Sequence, residues 1–366
     1  MTNGPTTTGS EIRPLTSLRG VAALYVVIYH FHYFFGPSID IERWTPFFSH
    51  GARAVDLFFI LSGFILAQTT PPFDSAKAYA RFLWRRLARI YPLHLCMLGA
   101  FVSVETIKLT LGGQAFTGAH SVAALLGNLF LVQSWGIFSD LTWNIPAWSI
   151  SAEFAAYLAF PLLILLRQGS RLQLLVSLLL LVLVLAGVTN ADLPPLHAVP
   201  HALVLVALGV ALHPFVMRWR GNGRIADAVL VGALLLMGAS LQWDWGSGFF
   251  VVFAAITVAA GARADGLGAR LLGTKPLHWL GLVSYSIYLV HYFALDLWTS
   301  FVAWRLPLAD HPWLGLLCLA TMLAATLRTA QLTYRLIELP ARRGLTRLGD
   351  RISFSRKISA RAIAAE

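Results

Sequence analysis

Arg19-Gly20-Val21-Ala22-Ala23-Leu24-Tyr25-Val26-Val27-Ile28-Tyr29-His30 is an apolar run with a guanidinium at one end and an imidazole at the other. Ionisable groups inside hydrocarbon are costly, so each that occurs there marks a functional position with a partner to be found. Four further stretches repeat the pattern: Asp56 to Gly63, Arg85 to Pro92, Trp148 to Glu153, and Tyr285 to His291. Working outward, 57% of the 366 residues are hydrophobic and 12% are charged, and mean hydropathy is +0.68. An average soluble domain is about 25% charged, so soluble globular packing is excluded. The expected fold is an all-α integral membrane bundle.

Against the roughly 20 residues needed to cross a bilayer core, ten candidate spans centre near Val27, Ile60, Gly99, Ala159, Leu180, Leu205, Leu235, Ala255, Val290 and Leu323. With the N-terminus placed in the cytoplasm, 23 of the 28 Lys and Arg residues fall on the inner side, a strong positive-inside bias. Ten spans and two cytoplasmic ends fit together. Trp84, Trp219 and Trp279 then fall at inner edges, and Trp143, Trp243, Trp245, Trp304 and Trp313 at outer ones, as interfacial anchors. Leu172 to Val188 has almost no polar side chain on any face and reads as scaffold.

The expected organisation is a disordered cytoplasmic segment over 1–12, a membrane domain over 13–345 and a basic cytoplasmic tail over 346–366, whose arginines lean on anionic lipid. The net charge of +11 follows from that lining and does not indicate nucleic acid. Met1 to Ser10 does not read as a cleavable signal. Cys96 and Cys318 lack metal or disulfide spacing and read as packing residues, and no metal site is expected.

This topology gives each unusual residue a depth. His30 lies eleven residues beyond Arg19, about 16 Å deeper in a helix. Asp56, Glu153 and His291 are expected in the same outer half, so that four helices deliver a histidine pair and two carboxylates to one level. Such a set supplies a general base and a carboxylate to orient it. Read singly, each is equally a packing group satisfied by one neighbour. On the inner side, Arg85, Arg86 and Arg89 precede Tyr91 and Pro92. Guanidinium groups suit phosphates, although inner basic residues also serve topology and lipid headgroups.

These segments together resemble the acyltransferase-3 family of integral membrane O-acyltransferases. Its first signature is similar to Ser17-Leu18-Arg19-Gly20-Val21-Ala22-Ala23 with His30, its second to Ala54 through Phe64, and its third to Arg85 through Pro92 with Arg86-x-x-Arg89. Trp148-Ser149-Ile150-Ser151-Ala152-Glu153 with Tyr157, Ser284 through His291, and Glu338-Leu339-Pro340 complete the order. The resemblance covers residues 17 to 343. It departs at Ala155-Ala156, where the family is bulkier, and in having no appended hydrolase-like domain.

The resemblance implies ten membrane helices, acyl-CoA as co-substrate with no permanently bound cofactor, and O-acylation of a carbohydrate or similar acceptor. The expected mechanism holds the coenzyme phosphates at Arg85, Arg86 and Arg89, with His30 as general base and Glu153 or Asp56 orienting it. Arg19 positions the donor, and Ser62, Ser149, Ser286 or Tyr288 stabilises the thioester oxygen. An acyl-enzyme route on Ser or His stays open beside direct transfer. The acyl group is expected to be acetyl. The expected acceptor is an exported or cell-envelope polysaccharide or its lipid-linked unit, at a bacterial inner membrane beside glycan-export machinery, with a secreted small molecule such as a macrolide as the alternative. A proton-coupled transporter or flippase is the competing class. Such proteins carry repeated halves, and no internal repeat is visible: Pro92, Pro146, Pro161 and Pro214 do not recur at a fixed interval.

Overall fold

The computed structural model describes residues 11–35, 41–42, 45–168, 170, 175–176, 179–180, 197–302, 305–308 and 311–363. Among them there is helix and no strand, as expected where lipid cannot satisfy an open backbone edge. We number the helices α1 (Arg13–Phe35), α2 (Ala54–Thr69), α3 (Ala76–Thr110), α4 (Val122–Leu129), α5 (Trp148–Leu163), α6 (Ala198–Arg218), α7 (Gly223–Gln242), α8 (Ser247–Gly261), α9 (Leu267–Leu272), α10 (Lys275–Phe301), α11 (Pro312–Thr333) and α12 (Leu339–Ile363). Ser75, Ser121 and Asn222 cap α3, α4 and α7 through their side-chain oxygens.

Among the described residues, seven helical segments are long and apolar enough to cross a membrane, and α8 is a shorter apolar helix. The span expected near Val27 is α1, which is long enough but carries Arg13, Arg19, His30 and His32. It tolerates them because it sits inside the bundle, with Ala23, Val27 and Phe31 fully buried. The span expected near Leu180 and the scaffold reading of Leu172 to Val188 lie largely outside the described residues, as does Trp304. So does most of the expected 1–12 segment. At the other end, α12 runs unbroken across the expected boundary at 345.

Two close pairings organise the bundle. α1 and α10 run parallel, since Gly20 abuts the backbone of Gly281 at one end and His30 meets His291 at the other. α2 and α6 are also parallel, tied by Asp56 to His201 near their starts and by Phe64 against His213 further on. Gly63 abuts Val206 and Gly209 abuts Ile60, so a Cβ at either would overlap backbone. Small residues of this kind let membrane helices approach closely enough for dispersion to hold them. The start of α1 touches the start of α10 through Glu11 and His278, and α12 packs on the start of α3 through Trp84 and Arg85.

Exposed leucines such as Leu162, Leu235 and Leu316 form the outer surface. Two packing expectations are corrected. Cys96 is exposed, whereas Cys318 is buried. Trp143 is 1% exposed: its backbone, at φ 54°, turns the indole inward onto the His120 ring at 5.0 Å, so it packs a loop and does not anchor an interface.

Candidate active site

A cavity of about 140 Å³ opens between α1, α2, α3, α5 and α10. Arg19, Arg86 and Arg89 line it, with Ser62, Glu153 and Tyr157 opposite and Ser149 and Tyr288 towards the histidine end. A second cavity of about 110 Å³, lined by Glu11, Thr16, Gln68 and Thr69, shares Arg19 and Ile65 with the first. It lies at the end of the bundle where the chain enters.

Arg86 and Arg89 reach the cavity together because residues three apart share a helix face. Arg89 is tied to Glu338, a residue 2% exposed, and Ser286 donates to the other carboxylate oxygen of Glu338 at 2.8 Å. Glu338 closes a single π-helical turn, Tyr334–Glu338, an irregularity that recurs at functional sites. Arg19 and Arg86 stand in the field of Glu153 with no carboxylate in contact among the described residues. Arg86 Nε is sealed without a hydrogen-bond partner. Glu153 accepts from Ser62 Oγ at 2.6 Å. The cavity thus holds more guanidinium charge than carboxylate and fits an anion.

At the far end Ser149 Oγ and Tyr288 Oη share a 2.9 Å hydrogen bond, and Phe58 packs on the Tyr288 ring. Beyond them the His291 ring lies 5.9 Å from that of Tyr288, and His291 Nε2 lies 3.2 Å from His30 Nδ1. One neutral assignment satisfies every contact. His30 Nδ1 faces the carbonyl of Val26 at 2.9 Å and His291 Nδ1 faces that of Ile287 at 3.2 Å, so both must carry hydrogen there. His291 Nε2 is then an acceptor for His30 Nδ1–H, and His30 Nε2 is left as a free lone pair. An imidazole in this tautomer has a nitrogen able to take up a proton.

The expected single level of His30, Asp56, Glu153 and His291 is corrected to three places. His30 and His291 pair with each other, Glu153 belongs to the arginine cavity, and Asp56 Oδ1 meets His201 Nε2 at 2.7 Å with neither residue more than 2% exposed. Among the described residues neither carboxylate bonds His30, and the side chain against it is His291. Arg85 is also displaced, pairing on the surface with Asp350 at 3.0 Å. The Tyr91 hydroxyl donates to the carbonyl of Leu129, and Trp148 packs on Phe59; these three lie off the cavity. His201 was missed. Its signal was the one used for His30, an imidazole within an apolar helix, but no motif distinguished it.

The profile of the Acyl_transf_3 family, an acyltransferase domain, matches residues 14–328. Acyltransferase MdmB of Streptomyces mycarofaciens is 30% identical over 91% of this chain and 92% of its own length. O-acetyltransferase OatA of Staphylococcus aureus (strain NCTC 8325 / PS 47) is 25% identical over 90% of this chain and 57% of its own. Peptidoglycan O-acetyltransferase OatA of Listeria monocytogenes is 25% identical over 90% of this chain and 55% of its own. The chain spans little more than half the length of the two OatA proteins. No solved structure matches it.

Proposed function

The chain belongs to the Acyl_transf_3 family of acyltransferases, and from that premise we propose that it moves an acyl group, acetyl in the first instance, from acyl-CoA to a hydroxyl of a cell-envelope or exported polysaccharide. The observation that carries this reading is a cavity lined by three arginines whose Tyr288 wall packs on His291, the partner of His30. The similarity to O-acetyltransferases, one of them named for peptidoglycan, supports an acyl group of that size and a glycan acceptor. The charge pattern supports a bacterial inner-membrane topology of ten spans within residues 13–345 with both ends cytoplasmic. The second cavity then opens on the cytoplasm, where acyl-CoA is made.

In this mechanism Arg19, Arg86 and Arg89 hold the anionic part of the donor. His30 Nε2 takes the proton of the acceptor hydroxyl, whose oxygen attacks the thioester carbonyl. As the carbon–sulfur bond breaks, the leaving thiolate recovers the proton from His30. His291 keeps His30 in its reactive tautomer. Of the four expected oxyanion donors, Ser286 is spent on Glu338 and Ser62 on Glu153. Ser149 Oγ donates to the carbonyl of Pro146 at 3.1 Å and accepts from Tyr288 Oη, so Tyr288, at the histidine end of the cavity, is the donor assigned to the thioester oxygen.

The test is release of free thiol from acetyl-CoA by the purified, detergent-solubilised protein, with and without envelope glycan. Glycan-dependent release by wild type that disappears in His30→Gln supports the reading. Full activity in a folded His30→Gln protein removes His30 as the base, and no donor consumption by wild type removes acyl-CoA.

A further inference from the structure

Beyond the histidine pair, on the side away from the arginines, α10 carries a carboxylate with one oxygen that no described residue satisfies. Asp296 follows His291 by five residues, about 7.5 Å along the helix. Because α1 and α10 are parallel, that step leads away from Arg19. Asp296 Oδ2 is sealed from solvent without a hydrogen-bond partner, while the residue as a whole is partly exposed. Lys108 and His120 stand in its field, but both bond Glu105 Oε1, each at 2.8 Å. Glu105 also accepts the backbone N–H of Phe116 at 3.1 Å. Glu105 thus takes a hydrogen bond from each of them, and no described residue donates to Asp296 Oδ2.

Its connection to the chemistry is Tyr292. One helical turn before Asp296, it shares the same face, and its ring stands edge-on to that of His30 at a centroid distance of 5.7 Å. A buried acceptor without a donor is an unusual feature that calls for an explanation, and an incoming ligand that brings hydroxyl donors supplies one. A carboxylate on the acceptor would instead be repelled.

We infer that Asp296, with the Tyr292 ring beside it, holds the acceptor: a neutral, hydroxyl-rich molecule, bound through a hydroxyl next to the one presented to His30. This rests on the acyl-transfer reading above. It gives the site two chemically opposite entrances, cationic for the donor and anionic for the acceptor, meeting at the histidine pair.

The experiment measures acceptor KM and donor KM separately in the purified full chain. Acetyl-CoA is the donor, and neutral N-acetylglucosamine oligosaccharides or glycerol are the acceptor probes. Asp296→Asn keeps the shape and loses the charge; Asp296→Ala loses both. The expected result is an acceptor KM raised about tenfold in Asp296→Asn and more in Asp296→Ala, the loss of one charge-assisted hydrogen bond, with donor KM within twofold of wild type. Unchanged acceptor KM in both variants overturns the acceptor site while acyl transfer stands. Parallel rises in both KM values overturn it too, since they report a structural role. A wild type that consumes donor without responding to either probe overturns the polyol acceptor and this site together, and one that consumes no donor overturns the underlying reading.

Discussion

Two buried imidazole pairs lie in this bundle, and the one that looks more like a catalytic dyad is the less suited to catalysis. His201 and Asp56 pair a ring with a carboxylate at 2.7 Å, the geometry expected of an oriented base. Yet both are sealed, at 2% and 0% exposure, and they join α6 to α2 away from the cavity lining. His30 has no carboxylate. Its neighbour is a second imidazole at 3.2 Å, its ring is partly accessible, and its free nitrogen is fixed by two backbone carbonyls. In the proposed mechanism, access and tautomer, more than a matched charge, separate a base from a buried clasp.

The comparison breaks most directly on the two rings themselves. His30→Gln is expected to lower acyl transfer by about 10²–10⁴-fold, the loss of a general base, with the thermal midpoint little changed. His201→Gln is expected to retain transfer per folded molecule; loss of transfer in a folded His201→Gln protein would make the clasp catalytic. Next comes stability. Asp56→Ala leaves His201 without its partner, and breaking a buried pair costs about 3–5 kcal/mol. Replacing both members with leucine is expected to recover much of that, as read by thermal unfolding in detergent.

Tyr288→Phe sharpens the same contrast from the cavity side. It removes the hydroxyl shared with Ser149 while keeping the ring on Phe58 and His291. A loss in kcat of about 10²-fold at unchanged donor KM is expected of an oxyanion donor; a rise in KM alone would assign Tyr288 to binding. The smallest effect lies outside the spans. The Arg53 hydrogen bond at 2.6 Å holds Asp244 below the ordinary aspartate range, with the His50 charge also favouring the carboxylate. A depressed folded value adds stability above the unfolded one, and that increment is lost as pH falls through the folded value. Because Asp244 is largely exposed, less than about 1 kcal/mol is at stake after screening. Thermal midpoints of wild type and Asp244→Asn should converge in acid and separate slightly at neutral pH.

Much of the helical layout was readable in the sequence, because a segment that crosses lipid must be long and apolar whatever it packs against. The cavity residues were readable where chemistry and spacing coincide. Arg86 and Arg89 share a face, and Ser62 and Glu153 stand out in apolar surroundings. What stayed hidden was set by packing between helices. Arg85 is turned about 100° from Arg86, which is enough to send it to Asp350. Equal depth for His30 and Glu153 was inferred from straight rods of known direction, but contact depends on which helices touch. His201 carries no local mark of its pairing with Asp56, because that pairing arises from glycine contacts between α2 and α6.

Those glycine contacts also limit how the molecule can open. Gly20 and Gly281 weld α1 to α10, and Gly63 and Gly209 weld α2 to α6, with no side chain between them to slide or compress. The cavity is walled by α1 and α10 on one side and by α2 on the other. Each welded pair must travel as a rigid jaw. On the proposed reaction, a donor arm too long for the resting space is admitted only by a change in the gap between the two pairs, and lengthening the acyl chain is expected to slow transfer.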